Sequence, residues 1–131
     1  MLGVKRLDHV GVVVEDIEAA SQLLTEQFGL APERAHDRAD LRVAFFAAGG
    51  GARVELIEPV DPEIRAQRLG DEKARIEHLA FEVDDLDATL EALAALGFET
   101  TAPPRESHGN RNVWTVAATS GGIVFQFQQR L

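Results

Sequence analysis

The chain predicts an α+β fold built from two βαβββ modules, and three observations lead there. Residues 7–24, LDHVGVVVEDIEAASQLL, align without a gap on residues 76–93, IEHLAFEVDDLDATLEAL. His9 then falls on His78, Val14 on Val83, Asp16 on Asp85, Ala19 on Ala88 and Leu24 on Leu93. Each copy switches from strand-like to helix-like patterning at its aspartate. Each is followed by two further strand-like runs separated by glycines.

The elements follow in order. Residues 7–14 are apolar and rich in valine, as a buried strand requires. Asp16 is placed to cap a helix, because its carboxylate can accept from the first free backbone N–H groups. Ile17, Ala20, Leu24 and Phe28 recur at helical spacing, and Gly29 suits a left-handed stop. A short extended piece is expected at 32–35. A hairpin follows, with strands at 42–47 and 53–58 around a glycine turn. Asp61 and Pro62 open a short helix as cap and first-turn proline. A charged linker occupies 70–75. The second copy then gives a strand at 76–83, a cap at Asp85, a helix at 86–96 and a stop at Gly97. An extended piece at 99–102 and strands at 113–117 and 123–128, joined by Ser-Gly-Gly, complete it. The organisation is one domain, 1–131, with module one at about 1–60, a linker at 61–75 and module two at 76–131. Neither half is large enough to be stable alone, so the modules are expected to share a core about an approximate twofold axis.

Composition bounds the function. The chain has 131 residues, 45% of them apolar and 27% charged, as in an ordinary globular domain. Its net charge is −9, with no basic stripe, which argues against nucleic acid as a partner. A local basic pocket for a small anion stays open. No apolar run approaches the roughly 20 residues that span a bilayer, so no membrane partner is expected. No secretion signal is visible at the start, and the expected compartment is the cytoplasm. With no cysteine, a disulfide framework, a thiolate nucleophile and a cysteine metal site are all excluded.

Four polar residues do not fit their strands. Val10, Val12 and Val14 should face the helix, which turns His9, Gly11 and Val13 the other way. In the second copy Leu79, Phe81 and Val83 oppose His78, Ala80 and Glu82. Glu55 interrupts RVELIE, and Gln126 interrupts VFQFQ. Setting Gly51 on Gly122 puts Glu55 on Gln126. A pseudo-twofold axis that brings His9 toward His78 therefore brings Glu55 toward Gln126. Two imidazoles, a carboxylate and an amide oxygen suit a divalent metal with room for substrate oxygens. Alone, a histidine near a strand start or a polar residue in an edge strand is an ordinary structural feature. Four at symmetry-matched positions make a ligand set. His36 and His108 fall in expected loops. Glu15–Asp16 and Asp84–Asp85 read as caps. Arg105, His108 and Arg111 form a small basic group in PPRESHGNRNVWTV, suited to a carboxylate or phosphate of a substrate.

The phrases LDHVGVVVEDIEAA, RVAFFAAGGGARVELIEPV, IEHLAFEVDDLDATLEALAALGFE and SGGIVFQF resemble the vicinal oxygen chelate superfamily of glyoxalases, extradiol dioxygenases and antibiotic-resistance proteins. Within it the chain is most similar to the methylmalonyl-CoA epimerases. The resemblance implies paired βαβββ modules that form a curved mixed sheet around a central cavity. It implies metal ligands at His9, Glu55, His78 and Gln126, with cobalt, manganese, nickel, iron, zinc and magnesium indistinguishable. It implies an isomerase, epimerase or lyase acting on a small molecule such as an acyl-CoA, and a homodimer. Two features depart from the family. A glutamate is usual at the place of Gln126, and an amide cannot accept a proton near neutral pH. A second glutamate expected before RVAFF is missing, leaving Asp37 and Asp40 as the nearby carboxylates. The candidate proton-transfer groups are therefore Glu55, Asp37 and Asp40. The alternatives are a glyoxalase-like lyase or isomerase of another substrate, and a non-catalytic, drug-sequestering protein of the same fold.

Overall fold

A computed structural model describes residues 2–131. The chain divides into two compact units. The first runs from His9 to Glu77, and the second joins the N-terminal residues through Asp8 to His78–Leu131. The segment expected as a linker belongs to the first unit, and the N-terminal residues belong to the second.

In the first module the strands lie in the order β2-β3-β4-β1, with β1 at Val4–Val14, β2 at Ala31–Asp37, β3 at Leu41–Ala47 and β4 at Arg53–Pro59. The β1–β4 pairing is parallel, and the other two are antiparallel. Helix α1 (Ile17–Gln22) starts at Asp16, whose carboxylate accepts from the N–H groups of Glu18 and Ala19 at 3.1 Å each. The helical run widens into π turns over Leu23–Gln27, where Phe28 N–H reaches the Leu23 carbonyl. The face of α1 that the sequence pattern marks packs Ile17, Ala20 and Leu24 on Val12, Val14, Ala44, Phe46 and Leu56. Helix α2 (Pro62–Arg68) covers the opposite face near the strand ends, where Leu69 meets Val13 and Ile57. It is tied down by Arg68, which grips Glu77 with two bonds of 2.8 and 2.6 Å. Hydrogen bonding to Glu77 raises the Arg68 pKa above its ordinary value.

The second module repeats the wiring with β5 (Ala74–Val83), α3 (Leu86–Ala95), β6 (Arg105–Ser107), β7 (Asn110–Trp114) and β8 (Val124–Arg130) in the order β5-β8-β7-β6. Residues Ala74–Glu77 of β5 belong to the first unit. The β5–β8 pairing is parallel, and β8–β7 and β7–β6 are antiparallel. Asp85 caps α3 through Ala88 N–H at 3.1 Å. Leu86, Leu93, Val83, Val113 and Phe127 form the core between α3 and the sheet. Burying each of the larger side chains contributes about 1.5–3 kcal/mol.

The two modules share a helix-start device that patterning did not reveal. The first free N–H of α1, from Ile17, donates to the Glu58 carboxylate at 2.8 Å. That of α3, from Leu86, donates to the Gln129 amide oxygen at 2.7 Å. Each strand thereby supplies a second cap for the helix that packs on it.

Three segments differ from expectation. The extended piece at 99–102 makes a single bridge, Thr100 with Thr115, and the edge strand is β6 instead. Pro103 and Pro104 lack the N–H groups that would continue the ladder and separate the two. Strand β7 begins earlier and ends earlier than 113–117, because Ala117–Thr119 turns into a short 3₁₀ segment. His36 lies within β2 and not in a loop. Among the described residues, no helix is long and apolar enough to cross a membrane.

Candidate metal centre

The register of the parallel strand pairs sets the site. In the first module His9 pairs with Arg53 and Gly11 with Glu55. In the second His78 pairs with Val124 and Ala80 with Gln126. Glu55 thus lies one strand across and two residues along from His9, and Gln126 stands in the same relation to His78. In both modules the residue directly beside the β4 or β8 ligand candidate is small, Gly11 or Ala80. Residues paired across strands point to the same face, so these side chains lie on the face away from α1 or α3. That is the division of faces the alternation predicts.

In the first module the imidazole Nε2 of His9 lies 3.2 Å from the Glu55 carboxylate. His9 is 3% exposed, so its ring nitrogen is shielded from bulk water. Its ring meets Phe45 edge-on, with centroids 5.3 Å apart. Phe45 is the residue paired with Glu55 on β3. The imidazole is therefore held by packing on one side and offered to an oxygen on the other, as a metal ligand must be.

In the second module His78 and Gln126 are both buried. The amide of Gln126 is oriented by a neighbour. Its nitrogen donates to the Asn112 Oδ1 at 3.1 Å. The Asn112 nitrogen in turn faces the carbonyls of Arg105 and Asn110 at 3.4 and 3.5 Å. Two carbonyls on that side fix which end of Asn112 is its oxygen, and so which end of Gln126 is its nitrogen. The Gln126 oxygen is left as the free acceptor. Each module thus offers one imidazole and one side-chain oxygen, donor types that suit a divalent first-row ion.

The remaining candidates fall elsewhere. Asp37 pairs with Arg42, which puts it on the α1 side of the sheet, opposite in face to Glu55. There it approaches Arg42 at 3.7 Å and lines a groove with Ile17, Glu18 and Ser21. By register the sheet lies between Asp37 and Glu55. Asp40 sits in the β2–β3 turn, 3.6 Å from Arg38. Arg105, His108 and Arg111 lie on the β6–β7 hairpin, not in a loop, and diverge. Arg111 pairs with Asp87 on the α3 side at 2.9 Å, whereas Arg105 stacks 5.2 Å above Trp114, the residue paired with Gln126. His108 occupies the turn with φ of 51° and contacts Ser107.

Two side chains on the Glu55 face escaped the pattern. Arg34 pairs with Phe45 and His36 with Val43. The signal for both lies in a β-bulge between Pro32 and Arg34, which alternation cannot show. A further carboxylate on the His78 face, Glu82, is already taken by Arg6 and, at 3.1 Å, by Arg130. Its hydrogen bond raises the Arg6 pKa above the ordinary value.

Residues 8–115 match the family described as the Glyoxalase/Bleomycin resistance protein/Dioxygenase superfamily. The chain belongs to that superfamily. A superfamily relative in sequence is the uncharacterized protein YqjC of Bacillus subtilis (strain 168), 33% identical over 92 residues. That match takes in 68% of this chain and 65% of YqjC. Methylmalonyl-CoA epimerase from Mycobacterium tuberculosis is similar in structure, with a TM-score of 0.87 and 25% identity over 98% of this chain and 89% of that one. A hypothetical protein, BH1468, from Bacillus halodurans C-125 has a TM-score of 0.83 at 20% identity, covering 96% and 94%. Streptomyces coelicolor methylmalonyl-CoA epimerase, solved in complex with 2-nitronate-propionyl-CoA, has a TM-score of 0.82 at 18% identity, covering 98% and 99%. The last two likenesses establish the fold.

Proposed function

We propose that this protein is a metal-dependent enzyme that removes a proton from carbon beside a carbonyl group of a small molecule, in the manner of an isomerase or epimerase. The observation that carries this is the repeated register, His9 with Glu55 and His78 with Gln126, each pair at one strand across and two residues along. In this reading His9 and Glu55 of the first module and His78 and Gln126 of the second supply the donors for one ion, on the strength of that repeated register. A bound divalent ion would supply a Lewis acid against negative charge developing on a substrate oxygen.

The chain's own residues decide the rest. Glu55 is the carboxylate whose strand position puts it on this face of the first module, and it is the candidate proton acceptor. Gln126 holds through its oxygen and cannot move a proton. His36 is another proton-carrying group on the Glu55 face, which supports it as the candidate second group of an epimerase. Phe45, buried between strands, excludes water from His9. Arg105 over Trp114 remains a candidate contact for an anionic part of the substrate. An acyl-CoA thioester is the substrate class that the epimerase likeness favours.

The test follows solvent deuterium into methylmalonyl-CoA with protein loaded with Co2+ or Mn2+. Exchange with inversion supports an epimerase. Exchange without inversion supports a one-base enzyme and leaves His36 without the proposed role. No exchange with a protein that binds the ion points to another carbonyl substrate. A protein that no divalent ion stabilises or binds is a ligand-sequestering member of the fold, and the proposal fails.

A further inference from the structure

We propose that Arg34 is the anchor for a carboxylate of the substrate, an inference that rests on the assignment of His9 and Glu55 to the reacting site. The placement begins with the bulge in β2. Pro32 pairs with Phe46 and Arg34 with Phe45, so Glu33 is an extra residue without a partner rung. Without it, Glu33 would stand opposite Phe45, and Ala35 opposite Val43. The bulge puts Arg34 and His36 there instead, exchanging an anion for a cation on the face that carries Glu55.

The guanidinium lies over the same ring that His9 touches. Its carbon is 4.4 Å from the Phe45 centroid. A second guanidinium, Arg53, is 5.1 Å from that centroid, but Glu33, the bulged residue, holds it at 3.5 Å. Arg34 has no such partner. Its Nε–H is buried and donates to no group among the described residues, and no carboxylate pairs with it there. The contrast is sharp in a chain with 22 acidic side chains against 13 basic ones. Arg6, Arg42, Arg68 and Arg111 all reach carboxylates. A buried, unpaired N–H on a cation is costly to keep unless a ligand completes it. An aromatic ring on one side of the guanidinium leaves its in-plane N–H groups free, and these match the two oxygens of a carboxylate. The ligand this describes is a small organic acid. Its carboxylate sits on Arg34, and its reacting carbon reaches Glu55 across the neighbouring Phe45 position.

The experiment titrates malonate, with malonamide as its neutral counterpart, into metal-free and Mn2+-loaded protein by calorimetry, and titrates Mn2+ separately. Wild type is expected to bind malonate and to discriminate against malonamide. Arg34→Gln should weaken malonate by about tenfold, and Arg34→Lys should recover part of the loss. Mn2+ affinity should stay within about twofold in both variants. Equal malonate affinity in wild type and Arg34→Gln overturns the anchor while leaving the metal assignment intact. So does equal binding of malonate and malonamide, or no malonate binding to wild type in either form. Should wild type take up no Mn2+, the metal assignment fails, and the metal-free titrations still decide the anchor by their dependence on Arg34. Should Arg34→Gln fail to fold, Arg34→Lys decides it through the same comparison.

Discussion

The two modules share a wiring diagram but not a charge. Where the first has Glu55, the second has Gln126, and where the first caps its helix with Glu58, the second uses Gln129. The register sets Val43 and Ile57 against Asn112 and Gln128, which makes the second module's inner face a row of amides. Each module stacks an arginine on the aromatic residue beside its ligand candidate, Arg34 on Phe45 and Arg105 on Trp114. The first arginine is half buried, and the second is exposed. The backbone register repeats, and the carboxylate of the matched pair is found only in the first module. On the proposed reading the first module exchanges protons and binds an anion, whereas the second holds and orients. An amide pair suits that task because Asn112 orients Gln126 without carrying charge into a buried place.

The comparison can be broken from its largest effect down. Leu86→Ala should destabilise the protein by about 3 kcal/mol, and Ile17→Ala, its counterpart at the start of α1, by about 2–4 kcal/mol, because both leave cavities under a helix. Urea unfolding reads both, and a clear loss from only one would mean that the modules do not carry equal shares of the core.

His9→Ala and His78→Ala should each weaken Mn2+ binding by on the order of 100-fold, measured by calorimetry. A strong loss in one and none in the other would break the symmetry of the ligand set.

Gln126→Glu should tighten the metal by roughly tenfold while weakening an anionic ligand, since a second carboxylate lowers the charge left on the site. Asn112→Val, which installs the first module's residue, should loosen the metal by up to about tenfold by freeing the Gln126 amide to turn. Unchanged affinities in both variants would remove Gln126 from the site.

The smallest effect concerns the helix starts. Glu58→Gln should cost about 0.5–1 kcal/mol, as a charged acceptor at a helix N-terminus becomes neutral. Gln129→Glu should gain a similar or smaller amount. Thermal unfolding at low and high salt separates the charge from the hydrogen bond, because only the former is screened.

Much of this was written locally. Asp16 and Asp85 announce their helices because a cap needs only the next three residues. The valine and phenylalanine alternation announces the faces because period two is a property of the strand itself. Repetition made His9, Glu55, His78 and Gln126 stand out as a set. Asp37 shows the limit. It comes just before the hairpin that carries Glu55 and is chemically suitable, yet it faces α1. Arg105 and Arg111 look like one cluster in the sequence and go to opposite faces.

The sequence by itself determined the module, its duplication, the helix starts and which strand positions are polar against the pattern. These depend on neighbours along the chain. The tertiary structure alone decided which side chains share a face on β2, which end of Gln126 is free, and which arginine is left without a carboxylate. One bulged residue, Glu33, reverses the parity of everything paired beyond it. An amide's direction is set by whichever group packs against it, here Asn112 from another strand. Both depend on pairing between segments distant in the chain, which no local pattern encodes.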